Sequence, residues 1–256
     1  MATLAQQRLL YESPCGIYKV AAAPAVPPLF PLDPVRRRIA ARYLNGQGIE
    51  IGALHFPLKV PAGATVRYVD RMPNEQLRRQ YPEFDKTSLV NIDVVDDGEK
   101  LTQFPDAEVD FVIANHMIEH CQNPIDSIYN WLRVLRPNGV LFMAVPDKRY
   151  TFDVERALTP LQHVVRDYYE GPQWSRMAHF TEVVAKAGQS DSEIAAAAQR
   201  LSDIDYSIHF HVWTQTEFLE LLLYCRNDLS FNFDIEIFQK NGIEFIVVLR
   251  KGGGTR

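Results

Sequence analysis

Short apolar runs of the kind buried in a parallel sheet recur along the chain, separated by stretches whose apolar residues return every three or four positions. Runs over Ile49 to Gly52, Val66 to Val69, Leu89 to Val95, Val109 to Ala114 and Val140 to Val145 read as five strands. Between them, Pro34 to Leu44 carries Val35, Ile39, Ala40 and Tyr43 near helical spacing and stops at Asn45-Gly46. Asn74 to Gln80 is a polar helix. Asn123-Pro124 starts another, with a capping side chain and proline at the first helical position, a stripe of Ile125, Ile128, Leu132 and Leu135, and an end at Arg136-Pro137-Asn138-Gly139. Thr214 and Glu217 have capping-box spacing ahead of Phe218, Leu221, Leu222 and Cys225. Phe233 to Phe238 and Ile243 to Leu249 flank Asn241-Gly242, a strong hairpin signal. Strand-helix alternation implies an α/β doubly wound sheet with right-handed crossovers, helices on both faces, finished by an antiparallel hairpin.

The 256 residues suit one large domain with an insertion. The expected layout is an N-terminal arm and helix over 1–47, a first half of the domain over 48–146, an insertion over 147–210, and the last helix and hairpin over 211–256. Pro24, Pro27, Pro28, Pro31 and Pro34 prevent a regular helix over 21–34, which reads as an extended arm. A net charge of −5 disfavours a nucleic-acid backbone as partner, and the run Arg36-Arg37-Arg38 reads as a solvated helix face. Cys15, Cys121 and Cys225 have no CxxC spacing and cannot all pair, which points to a reducing compartment. Neither a membrane-spanning run nor a signal peptide over Met1 to Pro31 is visible, so the expectation is a cytoplasmic protein without membrane or nucleic-acid partners, monomeric or homodimeric.

The stretch Ile49 to Met72 concentrates the candidate chemistry. One strand ends at Glu50 and Gly52, and the next delivers Asp70 at its carboxyl end, where an acid can accept hydrogen bonds from both hydroxyls of a ribose. Between them the chain reads Gly52-Ala-Leu-His-Phe-Pro, without the GxGxxG turn that a nicotinamide oxidoreductase requires against its pyrophosphate. His116-Met-Ile-Glu119-His120 has the spacing of an inverted zinc-protease motif, but it follows a strand directly and is rejected as a zinc site.

Glu-Ile-Gly-Ala at 50–53, Asp70, Phe-Pro-Asp-Ala-Glu-Val-Asp-Phe-Val at 104–112, Ile-Glu-His at 118–120, Leu-Arg-Val-Leu-Arg-Pro-Asn-Gly-Val-Leu at 132–141 and His-Val-Trp-Thr at 211–214 together carry a resemblance. Over about Gly48 to Lys251 the chain resembles the class I S-adenosylmethionine-dependent methyltransferases, in particular the small-molecule group related to the ubiquinone-biosynthesis type. The resemblance implies a Rossmann-like seven-stranded sheet whose last strand is antiparallel and inserted beside strand five. It implies S-adenosylmethionine as cofactor, with S-adenosylhomocysteine as product. The matching cofactor positions are Glu50, Gly52 and Ala53 at the methionine end, Asp70 with Arg71 at the ribose, Asp96, Asp97 and Gly98 at the adenine, and Asn115 and His116 near the reacting methyl.

Methyl transfer from a sulfonium is an in-line displacement that asks mainly for positioning, and a hydroxyl acceptor adds the need for a base. Asp147 to Phe210 is far longer than a connection requires and reads as a helical lid, with a helix around Thr159 to Tyr168 and another from the capping box Ser190 and Glu193. His211 is the first candidate base, with His163 and His209 next; Asp147, Arg149, Tyr150 and Tyr168 are candidate substrate contacts. A divalent metal held by these histidines with Asp147 is conceivable but not favoured. The expected activity is O-methylation of a small hydroxylated acceptor, a sugar, glycan or natural product. The alternatives are N-methylation of a small amine and a catalytically inert cofactor-binding partner.

Overall fold

The computed structural model describes residues 10–13, 16–19, 32–81, 88–185 and 189–253. Two short strands, β1 (Leu10–Ser13) and β2 (Gly16–Lys19), pair antiparallel as a separate ribbon. The expected arm over 21–34 lies outside the described residues as far as residue 31. Helix α1 (Leu32–Tyr43) begins two residues before the expected Pro34. That start is compatible with proline, because the first turn of a helix needs no donor there.

The main sheet is built from β3 (Gly46–Ile51), β4 (Ala64–Asp70), β5 (Val94–Val95), β6 (Val109–Asn115), β7 (Leu135–Pro146), β8 (Phe233–Asn241) and β9 (Glu244–Lys251). Its order is β5-β4-β3-β6-β7-β9-β8, with β9 antiparallel to both neighbours and the other adjacent pairs parallel. Side-chain alternation divides the sheet into two faces. Phe111, Ile113, Phe142, Ile246 and Val248 pack with Ile39 and Ala40 of α1 on one face. Val112, Ala114, Leu141, Met143 and Val247 belong to the larger core on the other, under α3 (Pro124–Val134) and α7 (Gln215–Asn227). Asn123 caps α3 and the Thr214–Glu217 box caps α7, as the spacing predicts.

Three expectations are corrected. The third strand is confined to Val94–Val95 rather than Leu89 to Val95. The amide of Val90 donates to Leu54, and the Asn74 side chain, at the start of α2 (Asn74–Gln80), serves both the Val90 carbonyl and the Ile92 amide, so these groups have no need of a ladder. Helix α3 ends at Val134, because Leu135 already pairs with Val109 in the sheet. The hairpin loop is Gly242-Ile243, one residue later than expected: Asn241 pairs with Glu244, and glycine takes the positive φ of 63° at the first loop position.

The insertion folds as α4 (Leu161–Glu170), α5 (Gln173–Val184) and α6 (Asp191–Asp203). The sequence reading contained α4 and α6 and missed α5. Phe180, Val184, Ala197, Ala198, Ile208 and Phe210 give the insertion a small core of its own. No helix among the described residues is long and apolar enough to cross a membrane.

Candidate active site

The parallel strands all end at one edge of the sheet, which collects Gly52, Asp70, Asp96, His116 and Asp147. Because β9 runs the other way, it starts at that same edge: Glu244 pairs with Pro146, the last residue of β7. The insertion covers this edge through its return segment, where the amides of Phe210 and His211 both donate to the Glu119 carbonyl, at 2.8 and 3.3 Å.

The cofactor positions inferred from the sequence divide into two kinds. Some acids serve the loops themselves. Leu58 N–H donates to both Glu50 oxygens at 3.0 and 3.1 Å, closing the loop from Gly52, and burial pushes the Glu50 carboxyl up to about 7. Asp96 accepts from the amides of Asp97 and Gln103 and from the Thr102 hydroxyl, so its oxygens hold the turn after β5 together. Asp97 caps Glu99 N–H and pairs with Lys100. The Arg71 guanidinium reaches away from the strand end to Asp205 after α6 and to the Tyr81 hydroxyl, tying the insertion to β4.

The remaining positions lie along the same strand ends. Asp70 is buried at the end of β4 and takes backbone donors from Arg71 and Met72; burial raises its pKa to about 6. Both amide atoms of Asn115, at the end of β6, are buried without a hydrogen-bond partner. A buried amide with no protein partner is uncommon and marks this strand end as a place for polar contacts from outside the chain's own groups. At Gly98 a Cβ would stand 2.6 Å from Ile51 Cγ2 and 3.0 Å from Met117 Cε, so only bare backbone passes between the ends of β3 and β6. Gly52 has φ 65°, the left-handed turn out of β3, and Ala53 follows it, buried. An acid for ribose hydroxyls, an unsatisfied amide and close-passing backbone fit a nucleoside carrying an amino-acid tail.

Beside Asn115 lies a group of charged residues. Glu244 is fully buried and accepts from both arms of Arg36, from Asn241 Nδ2 at 2.7 Å and from His116 Nε2 at 2.8 Å. The Arg36 and His116 hydrogen bonds hold its carboxyl down at about 2 despite burial. His116, with 37% of its side chain exposed and φ 50°, turns its other nitrogen toward Glu119, at 3.5 Å. Glu119 is itself buried, and neither carboxylate oxygen has a hydrogen bond; burial raises it to about 7, against the nearby charge of His209. His209 is oriented by Asp153 at 2.7 Å, and Asp153 is paired with Arg156.

The three candidate bases do not all share this place. His209 does, with one ligating nitrogen within 4.8 Å of Glu119 and His120. His211 is sealed in the protein, 3.0 Å from the Cys121 carbonyl and 3.1 Å from Asp167, and stacked on Trp213. His163 lies with His211, not with His209, and the two alternate residues do not face one side because the segment is not a strand. Among the substrate candidates, Asp147 caps the turn at Lys148–Tyr150 and is paired through both oxygens with Arg149. Tyr150 accepts from Lys240 at 2.7 Å. Tyr168 packs against the larger core beside Tyr169.

Sequence reasoning missed Arg36, Asp153 and Glu244, and took Glu119 only as part of a motif. Arg36 looked like a solvated face because it sits in a run of three. Glu244 had one available signal: an acid at the first position of an inward-facing apolar strand is out of place unless paired.

Residues 46–143 match the family model described as a methyltransferase domain. Comparison with curated proteins finds no match. Similar solved structures include a SAM-dependent methyltransferase from Methanosarcina mazei, 18% identical over 83% of this chain and 96% of that one, with a TM-score of 0.46. A SAM-dependent methyltransferase from Aquifex aeolicus is 14% identical over 90% and 94%, with a TM-score of 0.47. The PH0226 protein from Pyrococcus horikoshii is 20% identical over 81% and 82%, with a TM-score of 0.44. Likenesses of this degree add nothing to what the topology gives. The family match covers residues 46–143, and the seven-stranded sheet, with its antiparallel seventh strand between the fifth and sixth, is the architecture that the resemblance to class I S-adenosylmethionine-dependent methyltransferases implies.

Proposed function

We propose that the chain methylates a hydroxyl of a small polar acceptor, a sugar, glycan or hydroxylated natural product, in the cytoplasm. The observation that carries this reading is the Glu119 carboxylate, buried at the strand edge beneath the insertion with neither oxygen hydrogen-bonded. A hydroxyl supplies the donor such a carboxylate lacks, and a carboxyl raised to about 7 is matched to accept a proton near neutral pH.

When bound, S-adenosylmethionine supplies a methyl group on a cationic sulfur. Asp70 would hold the ribose hydroxyls, the turn at Asp97-Gly98 would take the base, and the Asn115 amide with the backbone at Gly52 and Ala53 would take the amino-acid end. Glu119 receives the acceptor's proton on a carboxylate oxygen. His209, fixed by Asp153, and His116, fixed by Glu244, set the field around that carboxylate. Residues 147–210 act as the lid, and the Arg71 to Asp205 link keeps its far end on β4, excluding water. Arg149 and Tyr150 flank the mouth. Buried, unpaired Cys121 and Cys225 suit a reducing compartment.

A hydroxyl is favoured over an amine because an amine attacks only when neutral, and a neighbouring carboxylate stabilises its protonated form. The test is transfer of labelled methyl from the cofactor to a panel of sugars, phenols and amines. Label should enter hydroxylated acceptors and be lost in Glu119→Gln, which should still bind S-adenosylhomocysteine. Label confined to amines would overturn the reading.

A further inference from the structure

Separate from the strand edge, four side chains of the lid region converge. His163 and Asp167 stand at i, i+4 on α4 and so share a face; His179 comes from α5, and His211 from the segment leading into α7. His163 Nε2 is 3.1 Å from His179 Nε2 and 3.4 Å from Asp167 Oδ2, and His211 Nε2 is 3.1 Å from the same oxygen. The ligating nitrogens of the three histidines lie within 4.8 Å of one another. A zinc ion bound to nitrogen at 2.0–2.1 Å in a tetrahedron sets neighbouring ligand atoms about 3.3 Å apart. We propose that His163, Asp167, His179 and His211 form a closed tetrahedral site for zinc, which pins α4 and α5 to the segment entering α7.

Proton accounting supports a cation over a hydrogen-bonded cluster. His211 Nδ1 faces the Cys121 carbonyl at 3.0 Å and must carry a hydrogen to satisfy it. In the neutral ring, Nε2 then presents a lone pair to the Asp167 carboxylate, acceptor against acceptor. Without a metal that contact requires a proton held between ring and carboxylate, in a place fully closed to water. With a metal, all three imidazoles are neutral and the carboxylate is a ligand, as N and O donors at zinc require. The outer contacts are those of a metal site too: the Cys121 carbonyl sets the His211 tautomer, and Ser175 Oγ donates to the other Asp167 oxygen at 3.2 Å. Four protein ligands, three of them buried, leave no position for a reacting water, so the role is structural.

The test is metal analysis of the purified full chain, followed by removal with a chelator and titration of the wild-type protein with Zn²⁺ and Co²⁺ against a chromophoric competitor. About one zinc per chain, intense visible cobalt bands of a tetrahedral site and a higher Tm on metal addition are expected. His179→Gln should weaken affinity by at least about a hundredfold, whereas His209→Asn, in the neighbouring cluster with Glu119 and His120, should retain the metal. Because the titration and the cobalt spectrum use wild-type protein, a misfolded variant would not blunt the test. A folded wild-type chain that takes up neither ion at micromolar concentration overturns the proposal. So does metal lost on His209→Asn but kept on His179→Gln, or a weak six-coordinate cobalt spectrum.

Discussion

Glu244→Gln isolates the buried pairing at the edge of the sheet. The side chain is sealed, and its partners are Arg36, His116 and Asn241, so the substitution keeps the shape while removing the charge they converge on. The Glu244 carboxyl is held at about 2 against an ordinary 4.5. At about 1.4 kcal/mol per pKa unit, that preference contributes about 3 kcal/mol to folding at neutral pH. Removing one member of a buried pair costs about 3–5 kcal/mol, since Arg36 is left with an uncompensated charge. A depressed carboxyl contributes fully above its unfolded pKa and loses the contribution as pH falls toward the folded value. The stability gap between wild type and Glu244→Gln should therefore be constant from pH 7 to about 5 and shrink by roughly 2 kcal/mol by pH 3. Equilibrium urea unfolding across that range measures it. A gap under about 1 kcal/mol at pH 7, or one that does not change on acidification, would refute the reasoning.

Other perturbations follow from the same geometry. Glu119→Gln should lower kcat by about a hundredfold or more, and the wild-type rate should rise with pH around the raised pKa of about 7, a limb the variant lacks; an unchanged profile would move the base to His209. Trp131→Ala removes a fully buried side chain whose Nε1 donates to the Gly98 carbonyl at 2.8 Å. The loss should be about 3–5 kcal/mol in urea unfolding, and the Asp97-Gly98 turn should loosen, weakening cofactor binding as well. Gly98→Ala drives a methyl into Ile51 and Met117; the cost should be about 1–3 kcal/mol, read by thermal denaturation, and Tm within a degree or so of wild type would mean that Met117 simply gives way.

Much of this was legible before any coordinates. The doubly wound sheet and its closing hairpin follow from apolar runs alternating with capped helices and from a single hairpin signal, while the place of the antiparallel strand beside the fifth is what the resemblance implies. Asp70 stands out in the sequence as an acid closing a strand at the ligand-binding edge, whereas Asn115 is singled out only by the family resemblance. What escaped depends on contacts distant in sequence. The His209 and His211 spacing suggests one shared face only if the segment is a strand; as irregular backbone it sends one ring to Asp153 and the other to Asp167. Glu50 and Asp96 fit a cofactor pattern, yet their oxygens are occupied by loop amides, and no local pattern distinguishes an acid that binds a ligand from one that closes its own loop. Helix α5 was missed because its apolar residues face a core supplied by α6 and the return segment.

The most direct measurement of the central claim is calorimetric titration of S-adenosylmethionine and S-adenosylhomocysteine into wild type and Asp70→Ala. Both should bind the wild type, more weakly as pH falls below about 6, where the Asp70 carboxyl gains its proton. The variant should lose roughly 10- to 100-fold in affinity, the worth of hydrogen bonds to a charged carboxylate. Unchanged binding by Asp70→Ala, or no binding of either ligand by the wild type, would contradict the placement of the cofactor at the carboxyl ends of β3, β4 and β6.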